Sequence, residues 1–169
     1  LQDTLNCGNA LGAKWIPAEA DVSIRPGWFW RESENDKVKS VDDLLRIYYE
    51  SVGRNSLMLL NVPPDTTGRF NAVDSTRLME FRSALDEIFK DNLAKGARAE
   101  ASVVRGRSFK AQNILNEDYD SFWAAPDDVT EATIAIDLGG KKTFNLIQLQ
   151  EYIPLGQRIK SFTVEAMNG

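Results

Sequence analysis

Residues 15–30 read WIPAEADVSIRPGWFW, and the seven from Glu19 to Arg25 alternate without a break. Period two marks a strand with two unlike faces, because successive side chains leave a pleated backbone in opposite directions. Ala20, Val22 and Ile24 make the apolar face; Glu19, Asp21, Ser23 and Arg25 make the polar one. Pro26-Gly27 ends the strand, since proline lacks the ladder donor and glycine permits a sharp turn.

Further along the chain the period changes from two to 3.6. Ser40 stands as an N-cap with Asp43 three residues on, in capping-box spacing. Val41, Leu44, Leu45, Tyr48 and Val52 then share one helical face, and Gly53 is the expected left-handed stop. Ser56–Val62, SLMLLNV, is short, nearly all apolar and bounded by Asn55 and Pro63-Pro64. It reads as a strand buried on both faces, as parallel sheets require. The loop PPDTTG closes at Gly68, and a second helix is expected over 71–91 with Leu78, Phe81, Leu85 and Ile88 as its stripe. Strand, helix, strand, helix with short connections is the rhythm of an α/β fold with a parallel sheet, either a (β/α)8 barrel or an open doubly wound sheet.

After Ala94 the helical period stops, and Lys95-Gly96 marks a boundary between 1–95 and 96–169. Ala132, Ile134, Ile136 and Leu138 alternate with polar or small residues, and Gly139–Lys142 is a turn. Phe144–Glu151 and Ile159–Met167 read as two more strands. This is antiparallel all-β material, the start of a sandwich with too few strands to close.

Composition narrows the chemistry. With 20 basic and 25 acidic residues the formal charge is −5, which argues against a nucleic-acid partner. The basic run from Lys95 to Lys110, with Arg98, Arg105 and Arg107, is either a solvated linker and strand edge or a contact for an anionic glycan or phosphate. No apolar run approaches the roughly 18 residues of a membrane span. Cys7 stands alone, so no internal disulfide is expected. The sequence holds no histidine, which removes Ser-His-Asp and Cys-His catalysis and histidine-based metal sites. Neither a dinucleotide fingerprint nor a P-loop occurs, so no cofactor and no metal are expected. Carboxylates, arginine and aromatics remain, the set used in glycoside hydrolysis.

Those residue types meet between Trp15 and Trp30. Glu19, Asp21, Ser23 and Arg25 cannot all be buried unpaired, so they pair with one another, line a wet pocket or face solvent. Trp15, Trp28, Trp30 and Phe29 are either core or a platform for the C–H faces of sugar rings. Alternation puts Trp28 and Trp30 on one side and Phe29 on the other. Asn61 closes an otherwise apolar strand, as a loop-capping group or a pocket donor.

Taken together, WIPAEADVSIRPGWFW and VDDLLRIYYESVGRNSLMLLNVPPDTTG (residues 41–68) closely resemble the plant-type branch of the family-29 glycoside hydrolases, the α-L-fucosidases. The likeness is dense over 1–95. More weakly, DYDSFWAAPDD (118–128) and ATIAIDLGGKKTFNLIQLQEY (132–152) resemble a discoidin-like, galactose-binding-like domain. The resemblance implies the C-terminal part of an irregular (β/α)8-type barrel followed by the start of a discoidin-like antiparallel β-sandwich. It implies retaining hydrolysis of terminal α-L-fucose from a fucosylated oligosaccharide or glycoconjugate, by an Asp nucleophile and a second carboxylic acid about 5–5.5 Å away.

In that family the nucleophile and the fucose-gripping histidines lie upstream, which here means a missing N-terminal part of the same enzyme, before Leu1. The acid/base position varies; in this branch it too is expected upstream. Within this chain Glu19 is the candidate, as acid/base or as a pocket carboxylate. Asp21, Arg25, Trp28, Trp30 and Asn61 are the substrate-binding candidates. Arg31 is a departure, since relatives tend to carry His there. A secreted, apoplast-like location follows from the resemblance. The 169-residue chain alone is expected to fold poorly and to be inactive, because two barrel strands cannot close a sheet. The alternative reading is a non-catalytic fragment or paralogue that binds glycans or partners.

Overall fold

Ser40 forms the capping box its spacing predicts. In the computed structural model, which describes residues 9, 11–14 and 16–167, the Ser40 hydroxyl accepts the Asp43 N–H at 3.1 Å. The Asp43 carboxylate accepts the Ser40 N–H at 3.2 Å in return. Helix α1 runs Val41–Ser51 from this cap. A 3-10 turn, Val52–Arg54, follows. The left-handed stop is not Gly53 but Asn55, at φ 64°, whose N–H reaches the Val52 carbonyl at 3.1 Å. The extra 3-10 turn moves the reversal two residues on, to a residue type that tolerates it. Cys7 and Trp15 lie outside the described residues.

Strand β1, Glu19–Ser23, and strand β2, Leu57–Asn61, pair in parallel with α1 as the crossover. The register sets Glu19 beside Leu57, Asp21 beside Leu59 and Ser23 beside Asn61. Pleating therefore gives two faces. Ala20, Val22, Met58 and Leu60 are half-buried on the covered one. On the other, Glu19 and Asp21 are exposed together with Leu57 (57%) and Leu59 (48%). The expectation that β2 is buried on both faces is thus corrected: among the described residues only one face is covered. Ile24 and Leu44 are fully buried, each contributing roughly 1.5–3 kcal/mol of apolar burial.

Helix α2, Ala72–Ile88, is shorter than the stretch 71–91 that periodicity suggested. Asn71 caps it, its side chain accepting the Val73 N–H at 3.1 Å. Leu78, Phe81, Leu85 and Ile88 are all half-buried, as the stripe predicted. Tyr48 of α1 lies edge-on to Phe81, with ring centroids 6.3 Å apart, and 6.2 Å from Phe89 just beyond α2.

The chain divides into two compact units, Leu1–Asp91 and Asn92–Gly169. In the second, β3 (Arg98–Ala101) pairs antiparallel with β4 (Ile134–Asp137). β3 falls inside the basic run that read as a linker and strand edge. Phe122 stacks on Tyr152 with centroids 4.3 Å apart and meets the tilted ring of Phe109 at 5.2 Å. Trp123 Nε1 donates to the Val103 carbonyl at 3.0 Å. Gly139 (φ 73°) and Gly140 make the expected turn. Phe144–Glu151 and Ile159–Met167 enter no ladder among the described residues, contrary to the strand reading. Alternation gives a segment two faces, but a strand also needs a neighbour for its backbone groups.

Candidate functional site

The carboxyl ends of β1 and β2 meet at Ser23, whose hydroxyl is a three-way junction. It donates to the Gly27 carbonyl at 2.7 Å and accepts from the Arg25 N–H at 3.3 Å and from Asn61 Nδ2 at 3.1 Å. One donor and two acceptor positions are all that a hydroxyl has, so Ser23 is saturated. Asn61 uses the same amide nitrogen on the Trp28 carbonyl at 3.1 Å, while its own carbonyl accepts the Ile24 N–H at 3.0 Å. With these contacts Asn61 caps the loop. Lys39 secures the junction from below, its Nζ on the Ser23 carbonyl at 2.6 Å.

Arg25 does not line an open pocket. Its side chain is fully buried, and alternation ends at Ser23, so Ile24 and Arg25 are both inside. Nε donates to Asp74 Oδ2 at 3.0 Å, in an ion pair with no exposure on either side. Nη2 donates to Asn35 Oδ1 at 2.9 Å and Nη1 to the Arg31 carbonyl at 3.2 Å. The guanidinium carbon stands 5.9 Å from the centre of the Trp30 ring, within cation–π reach. Trp30 is therefore half-buried against Arg25, not presented with Trp28. Arg25, expected among the substrate-binding residues, has no exposed surface and instead forms a packed support beneath the loop, with Trp30 half-buried beside it.

That support lifts the loop tip into solvent. Trp28 is 51% exposed and Phe29 79%. Neighbouring residues can both face outward because residues 24–29 form a bend, not a continuing strand. The second rim loop leaves β2 at Val62–Pro63 and contains Asp65. Hydrogen bonds from the Thr67 hydroxyl and N–H, at 2.6 and 2.8 Å, hold its carboxyl below the ordinary aspartate range. Asp65 is thus poorly suited to donate a proton.

Glu19 and Asp21 share the open sheet face but are displaced from this rim. Glu19 begins β1 and Ser23 ends it, four residue rises further on, about 13 Å at ~3.3 Å each. The geometry brings Trp28, Phe29, Ser23 and Asn61 together; it does not bring Glu19 to them. No group of three or more His, Cys, Asp or Glu residues is arranged for a metal among the described residues. None of the described helices is long and apolar enough to cross a membrane.

Sequence reasoning missed Asp74, Asn35 and Lys39. Asp74 carried one usable signal: an acid in a helix's first turn, suited to the positive end of the helix dipole. Nothing local links it to Arg25, 49 positions away.

Comparison with known proteins gives concordant results. Residues 2–86 match the family model for Alpha-L-fucosidase, and residues 98–169 match that for the F5/8 type C domain. A rice (Oryza sativa subsp. japonica) protein provisionally named alpha-L-fucosidase 1 is 46% identical over 165 residues, 95% of this chain and 32% of its own. Alpha-L-fucosidase 1 of Arabidopsis thaliana is 43% identical over 161 residues, covering 94% of this chain and 31% of its own. The chain thus spans about a third of the length of the curated relatives it matches. Among solved structures, the Ruminococcus gnavus GH29 fucosidase E1_10125 in complex with fucose is similar with a TM-score of 0.72 and 38% identity, over 78% of this chain and 27% of that one. The parallel β-α-β unit lies in the first matched span and the antiparallel pair in the second.

Proposed function

Because the chain belongs to the alpha-L-fucosidase family, with a discoidin-like F5/8 type C domain after its α/β part, we propose that it forms one wall of the sugar pocket of a retaining α-L-fucosidase. The enzyme in this reading is a longer parent chain that closes the β1–β2 pair into a (β/α)8-type barrel. Its substrate is a glycan or glycoconjugate ending in α-L-fucose, met outside the cell.

One observation carries the reading: Trp28 is held half-exposed, beside Phe29, at the carboxyl ends of two parallel strands. Barrel enzymes build their active sites at that end. A flat indole packs against the C–H face of a pyranose while polar groups elsewhere take its hydroxyls. The R. gnavus neighbour, whose structure contains fucose, supports the choice of sugar.

In the retaining reaction a carboxylate attacks the anomeric carbon while a carboxylic acid protonates the leaving oxygen; water, giving its proton to the resulting carboxylate, then attacks the glycosyl-enzyme, displaces the first carboxylate and frees the sugar. We assign both carboxyl groups to the parent's other segments. Glu19 sits at the wrong end of β1, and Asp65 is held ionised. The wall described here orients the sugar. On this reading the 169-residue chain releases no nitrophenol from a nitrophenyl α-L-fucoside, whereas the parent does. Trp28→Ala in the parent lowers kcat/KM about 10- to 100-fold, a loss of about 1.4–2.8 kcal/mol of transition-state binding. Turnover by the short chain, or an unchanged kcat/KM in Trp28→Ala, would sink the proposal.

A further inference from the structure

We propose that Arg25 and Asp74 are positioning residues for substrate, acting through the loop that carries Trp28. The inference rests on the reading of Trp28 as the sugar platform and adds the device that aims it. Arg25 is where the loop begins. Its Nη1 closes the loop at the far side, on the Arg31 carbonyl at 3.2 Å, so one side chain ties the two ends of a seven-residue excursion together. The excursion's tip is fixed separately, by Asn61 on the Trp28 carbonyl at 3.1 Å.

A guanidinium is rigid and planar, so its angle is set by whatever holds its remaining nitrogens. Here Asp74 holds Nε at 3.0 Å and Asn35 holds Nη2 at 2.9 Å, both away from the loop. Asp74 in turn is carried by the first turn of α2. Only one of its oxygens is engaged; Oδ1 is buried without a partner, so the Nε contact is its single anchor. Rotation of the guanidinium would shift the Arg31 carbonyl and the Trp30 ring at 5.9 Å, and with them the stems on which Trp28 is mounted. The start of α2 is thereby coupled to the aromatic tip, although Asp74 itself has no exposed surface.

The test is a double-mutant cycle in the parent enzyme with a nitrophenyl α-L-fucoside. Asp74→Asn keeps the shape and removes the charge that orients Arg25. It is expected to raise KM about tenfold, since small misplacements of positioning groups cost up to about 10²-fold, with a smaller change in kcat. In a Trp28→Ala background the same substitution is expected to leave KM within about twofold, because its target is gone. Should Asp74→Asn fold too poorly to assay, Asn35→Ala replaces it; it frees only Nη2, and KM rises in the same direction by less. Asp74→Glu, which restores the charge, is expected to recover part of the loss.

A merely structural role would lower thermal stability in both backgrounds and leave the KM coupling absent. Equal KM effects with and without Trp28 overturn the inference while leaving Trp28 as the platform. If Trp28→Ala alone leaves kcat/KM unchanged, the platform reading fails, and this inference fails with it.

Discussion

Asn61 Nδ2 donates to the Trp28 carbonyl at 3.1 Å across 33 positions of sequence, joining the end of one parallel strand to the loop after the other. The same nitrogen reaches Ser23 Oγ at 3.1 Å. Replacing it with Asn61→Ala removes both contacts and leaves the Trp28 carbonyl unpaired. The Trp28 carbonyl is exposed and regains a partner from water, so we expect a loss of about 0.5–1.5 kcal/mol in the denaturant unfolding of the parent chain. Asn61→Asp is expected to be worse than Ala, because a carboxylate cannot donate to a carbonyl. A stability within 0.5 kcal/mol (about the surface-substitution range) in both variants would show that the loop tip does not depend on Asn61.

The fully buried Arg25–Asp74 pair predicts an asymmetry between single and double substitutions. Arg25→Met alone strands a carboxylate, and Asp74→Leu alone strands a guanidinium. Each is expected to cost about 3–5 kcal/mol. Made together they remove both charges, and the double variant should be more stable than either single one. Chemical denaturation of the three variants decides the matter; strictly additive losses would exclude direct coupling.

Asp43 gives the pH dependence. Hydrogen bonds from the Ser40 hydroxyl and N–H hold its carboxyl below the ordinary aspartate range, with Arg46 adding to the effect. The unfolded chain then binds the proton more readily than the folded one, so stability rises with pH across the gap between the two values. The contribution is full above the ordinary aspartate pKa and disappears as pH falls through the lowered one. Ser40→Ala should bring the Asp43 titration, followed by carboxyl NMR, back upward, and it should cost about 1 kcal/mol of cap stability. An unmoved titration would mean that Ser40 is not its cause.

At Asn55 the backbone sits at φ 64° and ψ 33°. Asparagine accepts this region better than most residues, but glycine carries no side-chain penalty there. Asn55→Gly is expected to be neutral or slightly stabilising, and Asn55→Val to cost about 1–2 kcal/mol. Equal thermal midpoints for the Gly and Val variants would contradict the assigned conformation.

What the sequence disclosed was mostly local. The capping box at Ser40 and the stripe of α2 follow from spacings of two to four residues, which is the scale on which periodicity works, while β2 was legible as a short apolar run although only one of its faces is covered. The parity of β1 also held through Ser23, and it put Glu19 and Asp21 on one face as read. It failed at Ile24–Arg25, where a bend buries both neighbours and inverts the meaning of an arginine counted as polar and outward. Trp28 and Trp30 were separated for the same reason. Asp74 and Asn35 were invisible because their importance depends on closures over 49 and 10 positions. In the second unit, alternation in Phe144–Glu151 was real, but no pattern within a strand specifies its partner.

The two closures over 33 and 49 positions also order events in time. Helices α1 and α2 can form from neighbours alone, within about a microsecond for isolated segments. The loop carrying Trp28 cannot take its place until β1 and β2 have paired and α2 has docked, contacts that are slower to reach because of their separation. On the reading of Trp28 as a sugar platform, a sugar binds only the finished unit, and by mass action it would shift the unfolding midpoint of the unit, its helices included. Hydrogen exchange in the presence of fucose would read this as added protection at Ile24 and Trp28, with α1's own amides gaining none beyond the global shift.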